Sequence, residues 1–313
     1  MTIDAKYLDY ISGVRRYSAR TAEIYRDVLR DFASWGEIGS DEDWIRMLVP
    51  QTIRAYEVFL MDTHGDGAST VTLHLSVLSG LCRYLVKEGV LESNPVRLVP
   101  RPRQSRRLPV VYREESLRRY LDGTAWIVEE DFGPDAGMYA RRLRRLIVSM
   151  LYQTGIRRSE LIGLDRGSLD LSRHTLRVHG KGDKIRVIPL TAVLCDELQR
   201  YMDSAEAVLG PEGDSASPLL RTPKGKRLYP VFVDRSVKAE LGVGTDITVR
   251  RSPHVLRHTL ATALLDEGAD LNAIKEMLGH SSLAATQVYT HNSIEKLRKA
   301  YDAAHPRAAK TKE

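Results

Sequence analysis

A stretch rich in proline and arginine, between Asn94 and Arg113, divides the chain into two parts. Proline cannot continue a helix and has no backbone N–H to donate, so this stretch predicts an extended connection. Its prolines are Pro95, Pro100, Pro102 and Pro109, and its arginines are Arg97, Arg101, Arg103, Arg106 and Arg107. We therefore expect two domains, 1–93 and 113–313. The basic linker 94–112 between them is either a solvated hinge or a segment that follows a phosphate backbone.

The first part of the chain has the periodicity of helices. After the capping candidates Ser18 and Thr21, apolar residues recur at helical spacing, and a second mostly apolar run extends from Ser69 to Gly89. The apolar residues of the first run are Ile24, Val28, Leu29, Phe32 and Trp35. Residues 3–92 are therefore predicted to form a small bundle made only of helices.

The second part combines helices with a small sheet. A helix is predicted over Tyr139–Tyr152, and its four arginines, at 141, 142, 144 and 145, are expected to face solvent. Two β-like runs flank the Gly-Lys-Gly-Asp turn at 180–183 and predict an antiparallel pair. From Thr191 onward we expect helices, except at 210–226 and at a weak strand around 245–249. The predicted fold class is mainly α with a small antiparallel β-sheet.

Charge and cysteine content narrow the class of protein. Forty-seven Lys and Arg against 41 Asp and Glu give a net charge of +6, which permits nucleic-acid binding without requiring it. Cys82 and Cys195 are far apart in sequence and suggest neither a disulfide framework nor a cysteine zinc site. No run of about twenty apolar residues occurs, so we expect a cytoplasmic protein with no membrane partner.

The pentapeptide HVLRH at 254–258 could hold a metal or a phosphate. Ser252 and Pro253 predict a helix start, and the helix should run to Gly268 with His254 and His258 on the side away from its apolar face. A zinc site would need a third ligand, and a carboxylate where position 255 has valine. Arg257 would repel a metal but suits a phosphate, so the phosphate interpretation is favoured.

Four further residues indicate a function only when they are considered together with His254 and Arg257. Arg157 follows a Thr-Gly pair in QTGIRRSELIGL, Lys181 lies in the hairpin turn, His280 follows a helix that Gly279 should end, and Tyr289 lies in QVYTH. Taken singly, the arginine and the lysine would be ordinary surface residues and the tyrosine a core residue.

Together these six residues suit one reaction, the transesterification of a phosphodiester without a metal ion. A tyrosine with a pKa of about 10 is roughly 0.1% ionised at neutral pH, so it needs a base and nearby cations. Two arginines can hold the phosphate oxygens as charge gathers in the transition state. A lysine can protonate the departing sugar oxygen, a histidine can take the tyrosine proton, and a phosphotyrosine keeps the energy of the broken bond.

The motifs that carry these residues resemble those of the tyrosine recombinases, also called the phage integrase family, and among them the Xer type. The family pattern appears here as TGIRRSE, GKGDK, HVLRH, LGH and QVYTH. The resemblance implies that Arg157 and Arg257 are the paired arginines, Lys181 the general acid and Tyr289 the nucleophile that forms a 3′-phosphotyrosyl intermediate. It makes His254 and His280 the two histidines of the site. Glu160 resembles the family's structural acid, and His258 corresponds to a helix-supporting residue.

The resemblance covers nearly the whole chain and implies a complete architecture. A helical, SAM-like core-binding domain and an α+β DNA breaking-rejoining domain would close on duplex DNA as a C-shaped clamp, with no cofactor and no metal. Four protomers would assemble on two recombination sites, with copies of this chain or with a second Xer-type recombinase. A C-terminal helix would dock on the neighbouring protomer, and a DNA translocase is a further expected partner.

Three alternatives compete with Xer-type resolution of chromosome dimers at cell division. An integrase or transposase of a mobile element would use the same chemistry. A DNA-binding protein that no longer cuts would not need all six catalytic positions filled. A type IB topoisomerase acts as a monomer and lacks the match in the first half of the chain.

Overall fold

The computed structural model describes residues 2–102, 110–130, 133–180, 184–242, 247–248 and 250–279. The chain divides into two compact units, Met1–Arg107 and Leu108–Glu313, and each has a hydrophobic core of its own.

The described residues of the first unit form a bundle of five α-helices. They are α1 (Ile3–Asp9), α2 (Ala19–Trp35), α3 (Asp41–Met47), α4 (Pro50–Val58) and α5 (Ala68–Lys87), and single π-helical turns extend α1 and α4. The Ser18 hydroxyl accepts a hydrogen bond from the Thr21 amide and caps α2, as its sequence predicts. Phe32, Trp44 and Tyr56 are buried at the centre of the bundle. The prediction of an all-helical first part is confirmed, although α5 begins one residue before Ser69.

The start of the predicted linker is part of this first core. Residues Pro95–Leu98 form a 3-10 turn, and Val96 and Val99 are buried. The Asn94 amide donates hydrogen bonds to the carbonyl and hydroxyl oxygens of Ser79 on α5, at 3.1 and 2.9 Å. Burial of the two valines and these hydrogen bonds explain why the segment turns instead of extending. Residues 103–109 of the linker lie outside the described residues.

The second unit contains eight described helices and one sheet. The helices are α6 (Glu114–Gly123), α7 (Trp126–Glu129), α8 (Ala136–Thr154), α9 (Arg158–Ile162), α10 (Ala192–Leu209), α11 (Pro230–Glu240), α12 (Pro253–Asp266) and α13 (Leu271–Leu278). Strands β1 (Leu169–Asp170), β2 (Thr175–His179) and β3 (Ile185–Pro189) form an antiparallel sheet in the order β1-β2-β3. The predicted fold class, mainly α with a small antiparallel sheet, is confirmed. The turn residues 181–183 and most of the predicted weak strand at 245–249 lie outside the described part of the chain.

Helix α8 is the centre of the second unit, because α10, α11 and α12 all pack against it. The expectation that its arginines face solvent is wrong for two of them. Arg145 is 3% exposed and forms an ion pair with the buried Glu197, and Arg142 is also buried and donates to the Ile127 carbonyl at 2.8 Å. A helix surrounded by three others has little solvent-facing surface, so its long cations can only be accommodated with buried acceptors.

The sheet places one arginine in the interior. In β3, Arg186 and Ile188 are buried, whereas Ile185 is 46% exposed. Residue pairs Val178–Arg186 and Leu176–Ile188 lie opposite each other across the two strands, so Arg186 shares the buried face with Val178. This alternation follows from the two-residue repeat of a strand. Among the described residues, no helix is long and apolar enough to cross a membrane.

Candidate active site

Arg157 lies at a sharp junction between two helices. Gly155 ends α8 in the left-handed conformation, with a φ of 61°, and Arg157 is the residue immediately before α9. The Glu160 carboxylate accepts hydrogen bonds from the Arg157 backbone nitrogen and from its Nη1, both at 2.8 Å. A carboxylate that closes the first turn of a helix in this way also fixes the side chain of the capping residue. Glu160, predicted to be structural, therefore orients Arg157.

Arg257 lies on α12, and the prediction of its helix face is confirmed. His254 and His258 are exposed, whereas Arg257, which lies between them in the sequence, is buried at 8% exposure. Pro253 occupies the first helical position as predicted, but the Ser252 hydroxyl makes no capping hydrogen bond. Instead, the Ser252 amide donates to the Tyr112 hydroxyl at 3.0 Å. The helix ends at Asp266, two residues before the predicted end.

Three arginines bind the carboxyl end of α13. Arg186 Nε donates to the Met277 carbonyl oxygen at 2.8 Å, Arg257 Nη2 to that of Leu278 at 2.6 Å, and Arg157 Nη2 to that of Gly279 at 2.8 Å. The last carbonyls of a helix lack intrahelical partners and carry partial negative charge, so cations are stabilising there. Gly279 ends the helix in the left-handed conformation, as its sequence predicts.

The same arginines are also bound to the junction after α8. Arg257 Nη1 donates to the Gly155 carbonyl, and Arg186 forms a bidentate pair with Glu160 at 3.0 and 2.7 Å. The structure therefore brings Arg157 and Arg257 together although they are a hundred residues apart in sequence. Both donate to consecutive carbonyls at the carboxyl end of α13, and Arg257 also donates to the carbonyl of Gly155, two residues before Arg157.

Arg186 is the residue of this cluster that the sequence interpretation missed. Its signal was its register in β3, since a strand that alternates places position 186 on the same face as Ile188. A charged residue at a buried register position needs a buried partner, and Glu160 is that partner.

The cluster carries excess positive charge. Among the described residues, the hydrogen bonds and ion pairs of these three guanidinium groups include one carboxylate, that of Glu160. Burial alone would raise the pKa of Glu160, but hydrogen bonds from Arg186 and Arg157 together with the charge of Arg186 lower it to about 2. Burial, followed by the charge of Arg157, lowers the pKa of Arg257 to about 10. Glu160 and Arg257 are therefore both ionised at neutral pH, and the three arginines around one carboxylate favour an anion.

His254 is the candidate proton acceptor among the described residues. Partial burial, and then the charges of Arg158, His258 and Arg257, lower its pKa below the ordinary 6.5. A lowered pKa keeps the imidazole neutral at neutral pH, which is the form that can accept a proton. The other predicted site residues, Lys181, His280 and Tyr289, lie outside the described residues, as does the predicted C-terminal docking helix.

Comparison with known proteins identifies the family. The profile of the phage integrase family matches residues 138–296, and the profile of the N-terminal SAM-like domain of phage integrases matches residues 5–89. The chain is 33% identical to "Tyrosine recombinase XerC" of Chlorobaculum tepidum, with 97% of this chain and 94% of that protein covered. The same-named protein of Bacillus licheniformis is 36% identical, with 98% and 97% covered. The chain belongs to the phage integrase family of tyrosine recombinases.

Membership of this family makes the chain an enzyme that cuts and rejoins DNA at specific sites, and its relatives make it Xer-type. A third relative, from Mycobacterium sp. strain JLS, is 39% identical over 96% of this chain and 97% of its own length.

Solved structures agree with the fold. The structure described as XerH site-specific recombinase bound to a palindromic difH substrate has a TM-score of 0.66 at 21% identity, covering 95% of this chain and 83% of that one. The integrase of transposon Tn1549 has a TM-score of 0.67 at 18% identity, covering 96% and 99%. Phage integrase-type tyrosine recombinases thus share this arrangement of a helical first part and a mixed second part.

Proposed function

We propose that this recombinase resolves chromosome dimers at cell division, and that it cuts double-stranded DNA by forming a 3′-phosphotyrosyl link at Tyr289. The observation that most supports this cleavage is the pair Arg157 and Arg257, which donate to the consecutive carbonyls of Gly279 and Leu278 at the end of α13. Glu160 pairs with Arg157 and with Arg186. A positively charged site built in advance costs no reorganisation when a phosphate gains charge in the transition state.

The two arginines would have separable tasks. The Arg157 side chain is 34% exposed, so its guanidinium can meet a phosphate from solvent. Arg257 is buried, and two of its five N–H donors serve carbonyls, which leaves the others for a phosphate oxygen. A bidentate arginine is the side chain best shaped for a phosphodiester. Together they would stabilise the pentacoordinate phosphorus while the tyrosine oxygen attacks and the 5′ sugar oxygen leaves.

Proton transfer would involve the remaining members of the set. Neutral His254, with His280, would receive the phenol proton of Tyr289 or bind the phosphate. Lys181 would protonate the leaving 5′ oxygen. The reverse reaction with another strand's 5′ hydroxyl would rejoin DNA without ATP, because the phosphotyrosine preserves a phosphodiester bond.

The chromosomal role rests on the curated relatives. All three described above bear the name XerC, and each is matched over at least 94% of its length. Because the motifs resemble those of the tyrosine recombinases, we propose a tetramer on two DNA sites. It would form with copies of this chain or with a second Xer-type recombinase. A DNA translocase is the proposed activating partner, and the cytoplasm, where the chromosome lies, is the proposed location.

A plasmid excision assay in the host tests the chromosomal role. Two direct copies of the host's dimer-resolution site would flank a marker, and we expect the marker to be lost in cells with the wild-type chain but kept in cells with Tyr289→Phe. Retention of the marker in wild-type cells, combined with excision between the ends of a resident mobile element, would overturn the chromosomal role and favour the mobile-element alternative.

A further inference from the structure

Arg186 is bonded within the arginine cluster, but the proposed reaction gives it no role. The residue is 5% exposed, and all three of its guanidinium nitrogens are engaged. Two of them bind the Glu160 carboxylate and the third binds the Met277 carbonyl. Glu160 in turn binds the backbone and side chain of Arg157.

These contacts join three segments that are distant in sequence. Arg186 itself lies on β3, five residues after Lys181 in the sequence. Glu160 lies in α9, beside Arg157. Met277 lies in the last turn of α13, three residues before His280. Arg186 therefore joins β3 to the elements next to two further proposed site residues, Arg157 and His280.

We propose that Arg186 is a positioning residue for DNA cleavage. It holds Glu160, and through Glu160 the side chain of Arg157, in place against the carboxyl end of α13. The proposal rests on the proposed cleavage chemistry. Arg186 would act through the carboxylate that it shares with Arg157 and not by contact with the phosphate.

The geometry requires arginine specifically. A guanidinium can present two parallel N–H groups to a carboxylate and a third, from Nε, to a separate carbonyl. A lysine has one nitrogen and cannot meet both acceptors in this arrangement. Space for the planar group depends on Gly279, because a Cβ there would lie 3.1 Å from Arg186 Nη1.

An ordinary buried ion pair is the alternative explanation of Arg186. The chain offers a matched control, since Arg145 and Glu197 form another buried arginine–carboxylate pair in the same unit, at 3% and 4% side-chain exposure. Removing either arginine leaves a buried carboxylate without its main partner, so both changes should lower the denaturation midpoint. Only a positioning residue should affect cleavage beyond this loss of stability.

The test compares Arg186→Met, Arg186→Lys and Arg145→Met in the full chain, at a temperature where each variant is folded by circular dichroism. We expect the single-turnover cleavage rate of Arg186→Met to fall about 100-fold, since a displacement of about 1 Å in an active site can cost that much. DNA affinity should change by less than a few fold. Arg186→Lys should recover only part of the rate, and Arg145→Met should cleave at close to the wild-type rate.

The pH profile separates positioning from stability. Without Arg186, the pKa of Glu160 should rise, because its main stabilising partner is gone. As pH falls through that raised pKa, Glu160 is protonated and its grip on Arg157 weakens. The cleavage rate of Arg186→Met should therefore decline further toward acid pH relative to that of wild type, while the ratio for Arg145→Met stays constant with pH.

A crystal structure of Arg186→Met without DNA provides a measurement that does not depend on activity. We expect the hydrogen bond from Arg157 Nη2 to the Gly279 carbonyl, 2.8 Å in the wild type, to be broken. Retention of that bond would overturn the proposal, and so would wild-type cleavage by Arg186→Met. Absence of cleavage by the wild-type chain would instead overturn the proposed function, and the crystal structure would still decide the role of Arg186.

Discussion

Arg257 Nη2 donates a hydrogen bond of 2.6 Å to the carbonyl oxygen of Leu278, and this contact connects α12 to the carboxyl end of α13. The other end of the same guanidinium binds the Gly155 carbonyl. The position of the buried arginine is thus set by backbone from two other parts of the chain. Changes at those backbone positions should affect the site even where they remove no catalytic side chain.

Gly155→Ala tests this dependence on backbone. Gly155 has a φ of 61°, which costs a residue with a side chain roughly 1–2 kcal/mol. A Cβ would also lie 2.5 Å from Leu278 Cδ2 and 3.0 Å from Leu260 Cδ2. We expect urea denaturation to show a loss of about 2 kcal/mol or more in the free energy of unfolding.

Cleavage by Gly155→Ala should also fall by about tenfold, because the Leu278 carbonyl that positions Arg257 is displaced. Gly123→Ala is the matched control, since a Cβ at Gly123 meets nothing within 4 Å. An unchanged cleavage rate in Gly155→Ala would contradict the idea that this junction positions Arg257.

Arg157→Ala should separate binding from cleavage. The Glu160 carboxylate keeps its bidentate pair with Arg186, so the change leaves no buried charge unpaired. Removing one donor that stabilises developing charge typically costs about 100- to 1000-fold in rate. We expect single-turnover cleavage to fall by that range while the dissociation constant for DNA in a gel-shift assay changes by only a few fold. Normal cleavage by this variant would remove Arg157 from the site.

The cleavage rate should depend on the protonation of His254. Its pKa lies below the ordinary 6.5, through partial burial first and then the charge of Arg158. A base acts in its neutral form, so the rate should decline as pH falls through the pKa of His254, and the midpoint of that decline should lie below pH 6.5.

Arg158→Gln removes one of the positive charges that lower this pKa, and the acid limb of the pH–rate profile should therefore move to higher pH. The exposed Arg173, in the turn before β2, provides a control, since Arg173→Gln should leave the limb in place. A limb that moves to lower pH, or does not move, in Arg158→Gln would show that His254 is not the titrating group.

Glu197→Leu should destabilise the second unit strongly. Glu197 accepts hydrogen bonds from the buried Arg145 and, at 2.7 Å, from the Ser149 hydroxyl. Breaking a buried ion pair from one side typically costs about 3–5 kcal/mol, because the remaining charge has no partner. Urea denaturation should show this loss for the single change, and a smaller loss for Arg145→Met combined with Glu197→Leu. Equal losses in the single and double variants would mean that the unpaired charge of Arg145 is not the cause.

Periodicity predicted the fold class and the helix faces, because both depend on where apolar residues recur. The run that contains Phe32 forms a capped helix, and His254 and His258 on α12 are exposed as its 100° repeat implies. The site residues were predicted from the resemblance of the motifs. The structure brings two of them, Arg157 and Arg257, together at the end of α13. The catalytic roles of all six residues remain predictions.

Buried cations were what the sequence could not reveal. Arg145 looks like a solvent-facing residue in its helix, and the register of β3 places Arg186 on the same face as Ile188. Neither segment shows that a carboxylate from a distant part of the chain pairs with its arginine. Glu197 is 52 residues from Arg145, and Glu160 is 26 residues from Arg186. Pairings over such separations depend on tertiary packing, which no local pattern encodes.

Formation of a covalent adduct on a nicked suicide DNA substrate tests the central claim most directly. The substrate would carry an Xer-type recombination site, and the reaction would contain EDTA. We predict a protein–DNA adduct that survives denaturing electrophoresis with the wild-type chain and is absent with Tyr289→Phe. An adduct that persists in Tyr289→Phe, or one that requires a divalent metal, would contradict metal-independent cleavage by this tyrosine.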